Sequence, residues 1–210
     1  GGQGFPALIA AACAQMFLAG NQAFLMYPGL THGAARLIED HFQHPLRDII
    51  LEKMFSGEWA GTMCLTEPGA GSDALGSMRT TARLDGDHYV LNGTKLYITN
   101  GPVADTLLVY AKTDKSRGAK GISAFIVEKG YPGFRVAQKL TKMGFRGSPT
   151  AELVFEDCRV PAENLVGEEN GGVAIVMSGL DLERAMISPV CLGIAERALE
   201  LSIEYAKTRQ

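Results

Sequence analysis

Little in this sequence favours a polyanionic partner. Twenty Lys and Arg stand against 23 Asp and Glu, a net charge of −3. The one basic stretch, Lys139 to Arg146, is interrupted by apolar residues. No broad nucleic-acid surface is expected. Cysteine is sparse: Cys13, Cys64, Cys158 and Cys191 are far apart and make no C-x-x-C, so they read as reduced, buried thiols of a reducing compartment. His41 and His44 lack a nearby third ligand and read as a solvated helix end rather than a metal site. The apolar run from Phe5 to Leu18 is too short to span a bilayer and contains Gln15. No membrane span is expected. There is no internal repeat or low-complexity tract. The first residue is Gly and no signal peptide precedes it, which suits a soluble segment of a longer protein.

What is present is a large apolar fraction. At 46% hydrophobic and 20% charged, the 210 residues can bury a sizeable core. Three zones follow. Residues 1–59 read as helical: apolar residues recur at helical spacing in "AARLIEDHF" and "LRDIILEKMF". Pro6, Pro28 and Pro45 stand where helices would begin, and Gly20-Asn21 and Ser56-Gly57 where they would end. Residues 60–168 carry turn signals at Asp85-Gly86, Asn92-Gly93, Asn100-Gly101 and Pro132-Gly133. Between them lie the β-rich runs "HYVL", "TKLYIT", "TLLVYA", "ISAFIV" and "AELVFE". The pattern predicts an antiparallel sandwich or barrel, and several runs are apolar on both faces, so another layer must cover them. Residues 169–210 return to helix, apolar on more than one side, with Pro189 expected to kink or divide it. Such a helix belongs in a bundle whose other members come from elsewhere in a parent protein or from a second subunit. The fold class is α+β.

The loop "TMCLTEPGAGSD" (62–73) invites a dinucleotide-binding reading, since Gly69 to Ala74 fits G-x-G-x-x-A. That motif requires a strand before it and a long helix after it. Here Pro68 abuts the first glycine and strand-like alternation follows, so the reading fails. A serine-hydrolase elbow fails too, because Ser72 has no G-x-S-x-G around it. An ordinary turn remains possible from the loop alone. "LYITNG" (96–101) adds a second loop in which the hydroxyl of Thr99 lies near the aromatic Tyr97. Hydroxyls and backbone N–H groups suit the polar edge of a flat heteroaromatic ring, and an aromatic wall suits its face.

In "SGLDLERAM", Asp181 and Arg184 are three apart and can pair on a helix. Glu183 has no charged neighbour at helical spacing; its stripe holds Val176, Ile187, Val190 and Ile194. A buried lone carboxylate is costly to ionise and is pushed towards the range useful in a general base. A distant cation or water at a helix end would account for it equally.

Taken together, "MCLTEPGAGSD", "LNGTKLYITNG", "KMGFRGSPTAELVFEDCRVPAENLVG" and "GLDLER" resemble the acyl-CoA dehydrogenase family over essentially the whole chain. From Gly86 to Arg184 the wording is most similar to its isovaleryl-CoA dehydrogenase branch. The resemblance implies the end of an N-terminal helical domain, a middle β-domain and the start of a C-terminal helical bundle. It implies FAD as cofactor, an acyl-CoA substrate of short or branched chain, electron-transferring flavoprotein as electron acceptor and a homotetramer. A bacterial cytoplasm or a mitochondrial matrix would fit. Met63, Leu65, Thr66, Gly71 and Ser72 would line the flavin, with Tyr97, Ile98 and Thr99 as the second stretch and Arg209 reaching the pyrophosphate of a neighbouring subunit's FAD. Ser72, Leu180, Asp181 and Arg184 would meet the substrate, and Glu183 would be the base. Ala174 departs from the tyrosine usual in the isovaleryl branch, and residues before 60 resemble larger bacterial members. The same fold would also serve an acyl-CoA oxidase or a flavin monooxygenase, and a noncatalytic flavin- or CoA-binding module is the third reading.

Overall fold

The structure, a computed structural model, describes residues 6–209; the start of the apolar run at Phe5 lies outside them. Helix α1 (Ala7–His41) carries a break at Asn21, whose backbone leaves the helical region (φ −157°, ψ 93°). The Asn21 side-chain oxygen accepts from the Phe24 N–H at 3.0 Å. It therefore ends one helical segment and caps the next. Pro28 does not begin a helix: it sits inside α1. The carbonyl a proline leaves without a partner is four residues back, and Phe24 is exposed to water. α2 (Arg47–Ser56) stops at Gly57, which adopts the left-handed conformation of a helix C-cap.

Eight strands follow: β1 (Gly61–Cys64), β2 (Thr81–Asp85), β3 (His88–Thr99), β4 (Thr106–Lys112), β5 (Ile122–Glu128), β6 (Phe134–Lys139), β7 (Thr150–Pro161) and β8 (Leu165–Val166). They make one open sheet in the order β6-β7-β3-β2-β4-β5-β8, with β1 beside β4. The antiparallel sandwich or barrel expected from sequence is here a mixed, open sheet: most pairs are antiparallel, but β1 and β2 both run parallel to β4. They share one edge of β4, β1 along its start and β2 at its end.

Asn92-Gly93 is not a hairpin turn either. It lies inside β3, where the register against β7 shifts. Gly93 is required because a Cβ there would collide with Thr80. Asn92 instead exchanges two hydrogen bonds with Asp157 on β7, donating to its carboxylate at 3.0 Å and accepting from its N–H at 2.9 Å.

β4 and β5 are buried along nearly their whole length because both faces are covered. Leu107, Val109, Phe125 and Val127 point into the curl of the sheet, against Leu91, Leu153 and Phe155. Leu108, Tyr110, Ile122 and Ile126 point the other way, onto Ile38, Leu51, Val176 and other helix residues. Burying each such side chain contributes about 1.5–3 kcal/mol.

α3 (Gly172–Thr208) runs unbroken through Pro189. Ala185, four residues back, is exposed, so its carbonyl can be hydrated. α3 lies antiparallel to α1: Gly179 faces Leu37 and Gly193 faces Gln15, while Gln15 donates to Glu196 at 2.7 Å. The long stretch Leu8–His41 is long and apolar enough by composition to cross a membrane, because the helix continues past the run considered from sequence. Its second half nonetheless carries Ala34, Ala35, Leu37 and Ile38 into the protein core.

Candidate functional site

Two chain segments meet where β1 ends. The Leu96 N–H donates to the Thr66 carbonyl at 2.9 Å, and the Thr62 hydroxyl donates to the Thr99 carbonyl at 2.6 Å. The glycine loop and the "LYITNG" loop are thereby held side by side. Among the described residues, Thr66 spends neither its N–H nor its hydroxyl on another group of the chain. Thr99, also half-buried, keeps its hydroxyl similarly unspent. Both are available to a ligand's polar edge.

Tyr97 sits at a bulge between Lys95 and Ile98. Its backbone is left-handed (φ 61°), costly for an aromatic residue. The result is that Ile98 points into the core while Tyr97 turns out, 65% exposed. Bulges re-aim side chains in this way beside functional sites, and residues held in strained conformations concentrate there. Ile98 can offer only backbone to a ligand. Met63 and Leu65 face the helix-side core, half-buried.

The loop between Glu67 and Thr80 is tied within itself. Glu67 and Ala70 exchange backbone hydrogen bonds at 3.2 and 3.1 Å, making a tight turn around Pro68. The Asp73 carboxylate accepts from the Gly76 N–H at 3.2 Å and the Ser77 hydroxyl at 2.5 Å. Gly71 and Ser72 lie exposed between these turns.

Sequence reasoning missed the group beneath the loop. Lys95 and Glu67 form an ion pair at 2.8 Å, their side chains 0% and 4% exposed. Burial pushes the Lys95 ammonium below the usual lysine range, with Glu67 opposing. Burial would raise Glu67, but Lys95 and the N–H donors around it outweigh that and hold it low. The available signal was a lysine at an inward register of a strand; nothing local pairs it with an acid 28 residues away.

α3 behaves differently. Leu180 packs on the same helix-side core as Met63 and Leu65. Glu183, one turn on, is exposed, correcting the expectation of a buried lone acid. The reason lies in its stripe: Val176 is buried, but Ile187 is 52% exposed and Ile194 is also open, so nothing among the described residues covers that face. The side chains of Val190 and Met186 lie outside the described residues. Asp181 and Arg184 are exposed and, among the described residues, do not pair. Arg209 caps the far end of α3, about 44 Å along the helix axis at 1.5 Å per residue from Leu180, the residue that shares a core with Met63 and Leu65. Two cysteines depart from expectation as well: Cys13 and Cys191 are exposed, whereas Cys64 and Cys158 are buried.

At the helix end, His41 shares a hydrogen bond with the Ser178 hydroxyl at 3.0 Å and His44 lies 3.7 Å from Glu163. A separate cleft of about 320 Å3 opens between α1 and α2, lined by Tyr27, Thr31, His32, Phe55 and Trp59 among others. It holds none of the residues named for chemistry.

Residues 62–158 match the family described as acyl-CoA dehydrogenase, middle domain, and residues 170–210 the acyl-CoA dehydrogenase, C-terminal domain. The chain belongs to the acyl-CoA dehydrogenase family. It is 52% identical over 162 residues to the mitochondrial isovaleryl-CoA dehydrogenase of Pongo abelii, covering 76% of this chain and 38% of that protein. Over 176 residues it is 48% identical to the short-chain specific acyl-CoA dehydrogenase of Clostridium acetobutylicum, covering 84% and 46%. The structure of butyryl-CoA dehydrogenase from Megasphaera elsdenii matches with a TM-score of 0.93 at 40% identity, over 99% of this chain and 55% of that one. The chain thus spans about two fifths to a half of the length of these relatives.

Proposed function

We propose that this chain is the flavin-contacting part of an FAD-dependent acyl-CoA dehydrogenase that converts short or branched acyl-CoA thioesters to 2-enoyl-CoA. The observation that carries the reading is the paired-loop platform: Thr66 with an unspent N–H and hydroxyl, Thr99 on the segment bonded alongside, and Tyr97 turned outward at a strained bulge. The residues present suit the edge and face of a flavin ring. Thr66 and Thr99 would bond its polar edge. Tyr97 would wall its face, and Met63, Leu65, Gly71, Ser72 and Ile98 would complete the contact, the last through its backbone. Arg209 would serve the FAD of a neighbouring subunit in a homotetramer, which suits its distance from this chain's own platform.

Bound FAD supplies a hydride acceptor for the β-carbon. The chain's own part is proton handling and placement. Glu183 would take the α-proton of the thioester; Leu180, three residues before it on the same helix face, leans on the core that also supports Met63 and Leu65. A thioester α-proton is a weak acid, so this carboxylate must be held close and covered when substrate is in place. Ser72, Leu180, Asp181 and Arg184 would position the acyl-CoA. Electron-transferring flavoprotein would reoxidise the cofactor. The matched relatives include mitochondrial and bacterial enzymes, and either compartment fits. We also infer a division into residues 1–59, 60–168 and 169–210, supported by the helix–sheet–helix order.

The test is an anaerobic screen of the intact protein against straight and branched acyl-CoAs. Bleaching of the flavin absorption by four- or five-carbon acyl-CoAs, with slow reoxidation in air, is expected. Flavin binding without bleaching by any acyl-CoA would overturn the assignment, and fast reoxidation in air would move it to an oxidase.

A further inference from the structure

We propose that the buried Glu67–Lys95 ion pair is the positioning device of the cofactor platform, locking the two loops in their ligand-ready arrangement before any ligand arrives. The inference rests on the reading of Thr66 and Tyr97 given above.

One carboxylate gathers three separate stretches of chain. Glu67 Oε1 accepts from Lys95 Nζ at 2.8 Å and from the Thr80 N–H at 3.1 Å. Its Oε2 accepts from the Arg79 N–H at 2.7 Å. The start and the end of the glycine loop are thereby closed on each other through a single side chain. Lys95 Nζ also donates to the Leu65 carbonyl at 3.2 Å, and the next residue, Leu96, donates its N–H to the Thr66 carbonyl at 2.9 Å. Consecutive residues of β3 therefore hold consecutive carbonyls of the loop. This leaves Thr66 with its carbonyl engaged and its N–H and hydroxyl unspent. The inward pull on Lys95 and the core anchor at Ile98 leave two residues between them to bridge the bulge, and Tyr97 is the one forced into the left-handed region.

Such a pair is a poor device for stability alone. The desolvation of two buried charges offsets most of their attraction, and apolar replacements of similar shape are often tolerated. Its directional bonds, by contrast, fix geometry. Glu67 and Lys95 are thus positioning residues: their side chains are buried, 4% and 0% exposed, and both act through Thr66 and Tyr97.

The experiment uses the full-length protein as apoprotein and with added FAD. The variants are the paired Glu67→Gln/Lys95→Met, the charge-retaining Glu67→Asp, and the core control Val160→Ala. Val160 is fully buried on β7 opposite Tyr89. An aspartate at 67 is one methylene shorter and cannot span Lys95 and the Arg79–Thr80 amides together. The readouts are the FAD dissociation constant, the denaturation midpoint, and amide exchange at Arg79, Thr80 and Leu96 in the apoprotein. The expected result is a dissociation constant at least tenfold higher in the paired variant, smaller but clear weakening for Glu67→Asp, and at least tenfold faster exchange of the three amides in both. Val160→Ala should lower the midpoint while keeping the dissociation constant within twofold of wild type. A paired variant or a Glu67→Asp variant that binds FAD within twofold of wild type would overturn the proposal. Wild-type protein that binds no FAD would sink the cofactor reading instead. The apoprotein exchange data then decide the role of the pair: unchanged exchange in the variants refutes it, and faster exchange upholds it.

Discussion

Replacing Tyr97 by alanine and by glycine separates backbone strain from side-chain contact. Both variants remove the same ring, which is already 65% exposed, so the packing loss is common to both. They differ in the backbone. A non-glycine residue in the left-handed region costs about 1–2 kcal/mol; glycine removes that cost but loses about 0.5–1 kcal/mol through the freedom of its unfolded chain. Tyr97→Gly should therefore be more stable than Tyr97→Ala, by about 0.75 kcal/mol at the midpoints of these ranges. In an unstrained strand the order is the reverse. With a urea dependence of about 2 kcal/mol per molar, the midpoints of the apoproteins should differ by roughly 0.4 M, glycine higher. Both variants should bind FAD more weakly than wild type, because both lose the wall. An alanine variant more stable than the glycine variant would refute the strain at the bulge, and with it the argument that the fold sets Tyr97 aside for a ligand.

Phe125, fully buried and tilted against Tyr89 with ring centroids 4.8 Å apart, anchors the interior of the sheet, and Phe125→Ala should cost about 3–5 kcal/mol in chemical denaturation. Burial pushes the Cys64 thiol up to about 12 and the Cys158 thiol up to about 11, so a thiol reagent near neutral pH should label Cys13 and Cys191 in the folded protein and reach the other two only on unfolding; mass spectrometry of the labelled peptides checks this. Glu67 is held below its ordinary value when folded. Its carboxylate therefore contributes stability above about pH 4.5, the value when unfolded, and that contribution is lost as pH falls through the folded value. The stability gap between wild type and the paired Glu67→Gln/Lys95→Met variant, in which neither group titrates, followed by urea titration, should be constant from neutrality to about pH 5 and shrink in more acidic buffer.

The strands were legible where burial is two-sided or alternating. "TLLVYA" and "ISAFIV" became β4 and β5 because both of their faces meet core, and a continuous apolar run is all that such a strand can show. What misled was punctuation. Asn92-Gly93 carries a turn signature, yet the glycine is there for close approach to Thr80 and the asparagine to pair with Asp157, both contacts distant in sequence. Pro28 and Pro189 have the look of helix breaks, but each leaves its orphaned carbonyl near exposed residues, where water can satisfy it. The platform residues Thr66, Tyr97 and Thr99 could be picked out as loop hydroxyls near an aromatic. The ion pair beneath them could not, because it joins residues 28 apart through tertiary folding alone. Glu183 shows the opposite limit: its stripe of apolar neighbours is real, but burial depends on what covers that stripe, and no segment within these residues does so.

The proposed chemistry depends on one acid taking one proton. The most direct measurement is anaerobic flavin reduction by isovaleryl-CoA in the intact protein, wild type beside Glu183→Gln, with binding of the acyl-CoA followed separately. The wild type should bleach, and the glutamine variant should bind the thioester with similar affinity yet leave the flavin oxidised. Reduction of the variant's flavin at near the wild-type rate would contradict the account.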